Sequence, residues 1–445
     1  MTGAAEPGAA SQDELLILGQ TLRLREDPFL VPPEDCAAHD SRGGVLVREG
    51  RIAAVGPADA LRAAHPRARV EDMGDALIIP GFVDCHAHYP QTGIIASWGK
   101  RLIDWLNAYT FPEELRFADP DHARAQAELY LDLNLANGIT AACVYCTVHP
   151  QSADALFAAA LARGLRLCAG KVMMDRNAPP GLTDDPRRGH DESAALIARW
   201  HGRGRLGYAV TPRFAPTSTP AQLEAAGALW AAHPDCLMQT HLSEQPDEIA
   251  WVRELFPEDP DYFGVYEARG LAGPGAIMGH AIHLTARERA ALAETGTGVA
   301  HCPTSNAFIG SGLCDVAGLA RSGVPVGLAT DVGGGSSFSM LATMRSAYEI
   351  SQLRGAPLHP AQLLWMATAG SARVMRLDDR IGRLETGLEA DLVALDLAAT
   401  PVAAQRAARA RDVWEALFAT MILGDDRAVK AVWSGGRPMK RPPGA

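Results

Sequence analysis

Five residues of two chemical types, scattered through the chain, could converge on a cation. His86 and His88 stand two apart in Asp84-Cys85-His86-Ala87-His88, and residues i and i+2 of a strand point to one face. His241 ends an apolar run in Gln239-Thr240-His241, His280 ends another in Met278-Gly279-His280, and Asp331 follows Ala329-Thr330. Four imidazoles and a carboxylate are the donor set that a borderline-soft divalent ion such as zinc prefers. Each residue alone has an ordinary alternative. A single histidine at a strand end is more often a hydrogen-bonded structural residue, and an aspartate before a glycine run is more often a turn former. The coincidence of all five at strand ends is what predicts a metal centre. His283 and His301 are expected to be structural histidines, although either could support a ligand from behind.

The elements that must position them follow an alternating pattern. Strand-like apolar runs are expected at 81–89, 138–146, 165–175, 206–216, 236–244, 276–284, 298–306 and 324–332. Helix-like segments lie between them at 121–137, 152–163, 191–201, 220–232, 247–255, 285–294 and 315–321, with 339–354 and 360–376 after the last strand. Eight strands each followed by a helix predict a parallel (β/α)8 barrel, whose functional residues gather at the C-terminal strand ends. The flanks differ. Short strand-like pieces at 15–18, 44–48 and 51–55 and again at 391–396 and 429–433 suggest a small β-sandwich domain built from both chain ends. The expected division is therefore 1–75 and 384–445 for the small domain and 76–383 for the barrel. The tail after Gly436, rich in Pro and Arg, reads as a loose end.

Composition narrows the function classes. The 445 residues carry 41 Lys+Arg against 52 Asp+Glu, a net charge of -11, with 47% hydrophobic and 21% charged residues. Without a basic cluster, a nucleic-acid or anionic-membrane partner is not expected. No apolar run approaches the ~20 residues that span a bilayer. Residues 1–12 lack a basic leader region, so a soluble cytoplasmic protein is expected. The eight cysteines sit mostly in apolar runs and read as reduced core thiols; Cys143-x-x-Cys146 could be half a zinc site but has no second half.

The run Pro80-Gly81-Phe82-Val83-Asp84-Cys85-His86-Ala87-His88 resembles the signature of the amidohydrolase superfamily. Longer stretches are similar to its guanine deaminase family: His88-Tyr89-Pro90-Gln91, Trp105 through Glu114, Lys171 through Asn177, Pro212 through Thr217, Cys302 through Asn306 and Thr330 through Gly335. The resemblance runs from about residue 75 to the end. It implies that His86, His88, His241, His280 and Asp331 hold zinc, and that Glu244 and Asp331 are catalytic. It further implies that His88, Gln91, Arg213, Phe214, His241, Glu244 and Asp331 meet the substrate, guanine, and that the enzyme is a homodimer. Two-metal members of the superfamily bridge their ions with a lysine at the end of strand four. Here that end reads Thr211-Pro212-Arg213-Phe214, and the only lysines are 100, 171, 430 and 440, so one ion per chain is expected.

The residue types suit hydrolytic removal of an amino group from a ring amidine, and the resemblance implies that the reaction is a step of purine catabolism. A water made acidic near neutral pH must add to C2, a proton must reach N3, and the amine must leave protonated. Glu244 would serve N3 and Asp331 the water and the leaving amine. For Glu244 the alternative is a carboxylate stabilised at a helix N-terminus. Arg213 offers planar donors to the O6 and N7 edge, Gln91 a donor and an acceptor to a ring amide, and Phe214 an aromatic wall. Gly333-Gly334-Gly335 would admit a flat ring close to the backbone. Trp98, Trp105 and Phe111 either cover the ligand or simply pack. Rival readings are aminohydrolases of 8-oxoguanine, a pterin or a triazine, and a metal-free scaffold. The unrelated zinc deaminase pattern is excluded because His190-Asp191-Glu192 follows the only C-x-x-C.

Overall fold

The computed structural model describes residues 14–98 and 101–441. The leader-free reading of residues 1–12, Lys100 and the last four residues of the tail lie outside the described residues. The chain begins with β1 (Glu14–Leu24), β2 (Ala37–Arg48) and β3 (Arg51–Pro57), joined as antiparallel neighbours, and β4 (Arg69–Pro80) runs parallel to β1 on its other edge.

From β4 the chain passes through Gly81 directly into the barrel. A Cβ at Gly81 would lie 2.1 Å from the Thr140 hydroxyl, so only glycine fits this crossing. The barrel strands are β5 (Phe82–His88), β6 (Ile139–Tyr145), β7 (Arg166–Gly170), β8 (Val172–Met173), β9 (Leu206–Pro212), β10 (Leu237–Leu242), β11 (Ala276–His280), β12 (Gly298–His301) and β13 (Val326–Leu328). All neighbouring pairs are parallel, and β7 with β8 is one expected strand interrupted at Lys171. Every residue of β5, β6, β11 and β12 is buried, as strands covered by helices outside and packed side chains inside must be. The barrel closes where Asp331 N donates to His86 O at 3.0 Å and His88 N to Val332 O at 2.9 Å.

β14 (Leu392–Leu395) and β15 (Val429–Ser434) return the chain to the small sheet, with β14 antiparallel to β4. The small domain is thus a mixed seven-stranded sheet made from both ends of the chain. Its last strand corrects the loose-end expectation. Gly435 and Gly436 both adopt positive φ, 54° and 72°, as a two-residue hairpin turn requires. They fold β16 (Arg437–Lys440) back onto β15, and the Lys440 ammonium donates to Ala136 O at 2.9 Å.

Other departures have local causes. The run expected as strand over 298–306 stops at His301, because Pro303 starts a short helix, Pro303–Phe308, at its first position, where its missing N–H costs nothing. Helices Pro401–Ala407 and Val413–Leu423 were not foreseen; the second docks on helix Met340–Leu353 through an edge-to-face Tyr348–Phe418 pair. All eight cysteines are buried and unpaired. Cys143 faces the barrel interior and Cys146 the outer core, as residues three apart on a strand must. Among the described residues no helix is long and apolar enough to cross a membrane.

Candidate active site

At the C-terminal mouth of the barrel the five candidate ligands expected from the sequence meet. His88 Nε2 lies 3.3 Å from His86 Nε2 and 3.2 Å from His241 Nε2. Asp331 Oδ1 is 3.4 Å from both His86 Nε2 and His88 Nε2, and Asp331 Oδ2 is 3.8 Å from His280 Nε2. His86 and His88 sit on β5, His241 near the end of β10 and His280 at the end of β11, with Asp331 three residues past β13. The backbone is left-handed at His280 (φ 69°) and Asp331 (φ 48°), a sparsely populated conformation for non-glycine residues that concentrates at functional sites.

The donor chemistry fits a divalent cation. Burial, with neighbouring imidazoles adding to it, drives His88 and His241 well below the ordinary histidine range, and burial lowers His86 as well. These rings are therefore neutral and can offer lone pairs. His241 Nδ1 faces Arg213 O at 2.7 Å. A carbonyl only accepts, so Nδ1 carries the hydrogen and Nε2 is bare toward the cluster. His280 Nδ1 is held in the same way by Asn306 Oδ1 at 2.9 Å. Burial works to raise Asp331, but His86 and His280 outweigh it and hold the carboxyl at about 2. Cys302 also lies within reach; burial, then Asp331, pushes its thiol far up, so it is protonated and a poor ligand. Among the described residues no lysine reaches the cluster; Lys171 is committed to Asp184 at 2.5 Å and Glu192 at 3.3 Å.

Above the cluster is a cleft of about 410 Å³, walled by Leu102, Trp105, Leu106, Phe214 and Ile309 and edged by Gln91, Arg213, Glu244 and Gly334. Glu244 is buried, with Oε2 3.6 Å from His280 Nε2 and Oε1 accepting from Ser311 Oγ at 2.7 Å. Burial raises its carboxyl above the ordinary range, which suits a group that must carry a proton near neutrality. It does not cap its helix. That is done by Glu248, whose Oε2 accepts from the backbone N–H of Glu244 and Gln245 at 2.9 and 3.1 Å while Oε1 accepts from Tyr262. Burial, then the neighbouring Glu244, lifts Glu248 to about 7.

The glycine run packs closely against the side chains of the site. A Cβ at Gly333 would fall 2.3 Å from Gln91 Cβ, and one at Gly334 2.9 Å from Ser305 Oγ. Trp105 and Phe111 are buried in the first-strand loop, whereas Trp98 is 79% exposed and does not wall the cleft. His283 Nε2 meets Ser311 O at 2.8 Å and so braces the loop that serves Glu244. His301 lies outside the cluster; burial drops it to about 3, and neither ring nitrogen has a partner among the described residues.

Several contributors were not assigned from the sequence. Tyr145 stacks on His88 with ring centroids 4.4 Å apart. Asp84, pushed to about 7 by burial, accepts from Thr330 N at 3.1 Å and from the Thr330 hydroxyl, tying β5 to the segment that carries Asp331. Asn306 and Glu114 lay inside motifs that marked the resemblance, a usable signal; Ser311 carried none.

Comparison with known proteins agrees with this geometry. The amidohydrolase family model matches residues 77–439, and that of the imidazolonepropionase-like composite domain of bacteria matches residues 43–68 in the small sheet. Guanine deaminase of Escherichia coli (strain K12) is 43% identical over 89% of this chain and 90% of its own length. The solved structure of E. coli guanine deaminase superposes with a TM-score of 0.93 at 40% identity, covering 96% of this chain and 99% of that one. Guanine deaminase of C. acetobutylicum, solved with guanine bound in its active site, gives a TM-score of 0.87 at 26% identity over 96% of this chain and all of its own. By a family match over most of its length, and by relatives of this identity and coverage, the chain belongs to the amidohydrolase family and, within it, to the guanine deaminases.

Proposed function

We infer that this chain hydrolyses guanine to xanthine and ammonia, using one zinc ion held by His86, His88, His241, His280 and Asp331. The observation that carries the reading is the convergence of imidazole nitrogens and a carboxylate at the floor of a cleft edged by Arg213 and Gln91. The relatives' activity adds to it. A divalent ion there would supply a water acidic enough to ionise near neutral pH.

The protein's own groups do the rest. Arg213 donates to O6, Gln91 meets the adjoining ring amide, and Phe214 covers a face of the purine, placing C2 over the cluster. Glu244 delivers a proton to N3 as oxygen adds to C2, and its buried position keeps that proton available. Asp331 takes a proton from the attacking water and returns one to the departing amine. The C2–N bond breaks and ammonia leaves, and the hydroxyl left on C2 returns its proton to Glu244 as it becomes the ring carbonyl. A place in purine catabolism, a homodimer and a cytoplasmic location belong to the same proposal and rest on the family resemblance.

The test is ultraviolet monitoring of guanine conversion to xanthine by the purified, zinc-loaded protein, with ammonia release measured on 8-oxoguanine, a pterin and a triazine in parallel. Turnover of one of those in place of guanine would refute the substrate assignment.

A further inference from the structure

Behind two of the polar groups that edge the cleft, Gln91 and Arg213, lies another that does not touch it. Glu114, on helix Phe111–Leu115, is only 1% exposed. Its Oε1 and Oε2 each lie 2.9 Å from Arg213 Nη1, and Oε1 also accepts from Gln91 Nε2 at 3.1 Å. The same helix sets the Phe111 ring 5.9 Å from the guanidinium.

The chemistry of this node is asymmetric. A carboxylate only accepts, so Gln91 must turn Nε2 toward it and keep Oε1 for the cleft. An unrestrained glutamine amide could present either end. Arg213 spends Nη1 on Glu114 and retains Nε and Nη2, which only donate. The space around Gln91 is closed on the other side, since a Cβ at Gly333 would lie 2.9 Å from Gln91 Oε1.

We propose that Glu114 is the positioning residue that sets the donor–acceptor code of the cleft. It makes Arg213 the donor and Gln91 the acceptor, so that the pair reads a carbonyl beside a ring N–H. This rests on the guanine reading above, where O6 meets Arg213 and N1–H meets Gln91 Oε1. A 2-aminopurine without the 6-oxo group offers C–H and a bare ring nitrogen instead, and neither matches.

The experiment compares kcat/KM for guanine and 2-aminopurine in the zinc-loaded wild type, in Glu114→Gln and in Glu114→Asp, with metal content and melting temperature measured alongside. Glu114→Gln frees the Gln91 amide to turn and loosens Arg213, so the guanine preference should fall at least ~10-fold, with full metal content. Glu114→Asp keeps a carboxylate and should retain more of the preference; it serves if the amide variant does not fold. A merely structural role would lower both substrates together and leave their ratio unmoved.

A double-mutant cycle isolates the coupling. With Arg213 and Gln91 both replaced by alanine, Glu114→Gln should change the ratio less than about twofold, because the groups it positions are gone. A folded Glu114→Gln protein with the wild-type ratio would overturn the proposal, as would a folded Glu114→Asp protein whose ratio falls by the full ~10-fold although a carboxylate is kept, or the same ratio change in that alanine background. A wild type that leaves guanine untouched would instead overturn the substrate assignment, and this proposal with it.

Discussion

Replacing Glu244 by glutamine separates proton transfer from every other role of the site. The amide keeps the side chain's length, and its oxygen can still accept the Ser311 hydroxyl that now lies 2.7 Å from Oε1. The other end faces His280 Nε2 at 3.6 Å, but Glu244 is not among the groups whose donor atoms all lie within 4.8 Å of one another, so metal content should stay at the wild-type level. What disappears is a transferable proton. A positioned general acid contributes about 10² to 10⁴ in rate, equivalent to roughly 3 to 5 kcal/mol of barrier. The expected result is a kcat lowered by that factor, with metal content and xanthine affinity little changed, read by ultraviolet assay, metal analysis and calorimetric titration. Ser311→Ala refines the test. It removes a hydrogen bond that favours the carboxylate, so the Glu244 limb of the pH–rate profile should move upward. A Glu244→Gln protein with more than about a tenth of wild-type kcat would fall outside the range for such a group and shift the proton-donor role to Asp331.

Metal analysis should give about one equivalent per chain, as a single mononuclear site holds, and His241→Ala should lower metal content and turnover together; two ions both required for activity would refute the assignment. Arg213→Ala should collapse a guanine preference over 2-aminopurine of ~10² or more, and equal wild-type rates on the two would show that Arg213 does not read O6. Glu248 supplies a pH test. Its folded value of about 7 lies above the ordinary 4.5, so the folded state holds the extra proton and stability falls as pH rises between those values, by up to about 3 kcal/mol. Urea unfolding of Glu248→Gln should show a flatter profile across that window, and identical slopes would refute the shift.

The eight strands were legible because each is an apolar run bounded by turns and followed by a helical period, and the convergence of the histidines and Asp331 because strand ends are where a barrel gathers its side chains. The misses share a cause in distance or in pattern. Glu114 lies in a motif that marked the resemblance, but nothing local pairs it with Arg213, 99 residues away, and Ser311 is 67 residues from Glu244. Lys171 interrupts a strand that reads as continuous because its neighbours are all buried. Helix Val413–Leu423 is apolar nearly all round, VWEALFATMIL, so it lacks the one-sided period by which helices are recognised. Arg437 to Lys440 looked like a polar tail until the turn at Gly435-Gly436 returned it to the sheet.

The barrel seam has a consequence for the order of assembly. Asp84 and Thr330, which tie β5 to the segment carrying Asp331, are 246 residues apart. Joining points so distant costs roughly 5 kcal/mol in loop entropy beyond a constant, and contacts of this span form late in folding. The small sheet eases the step, because β14 pairs with β4 and β4 leads straight into β5, so zipping that sheet draws the two ends of the barrel together. Until the seam closes, His86 and His88 are separated from Asp331 and the donor set is incomplete. A nascent or partly unfolded chain therefore offers a passing ion only a fragment of the site. Tight metal capture is delayed until the barrel is whole, and its time course during refolding would report closure of the seam.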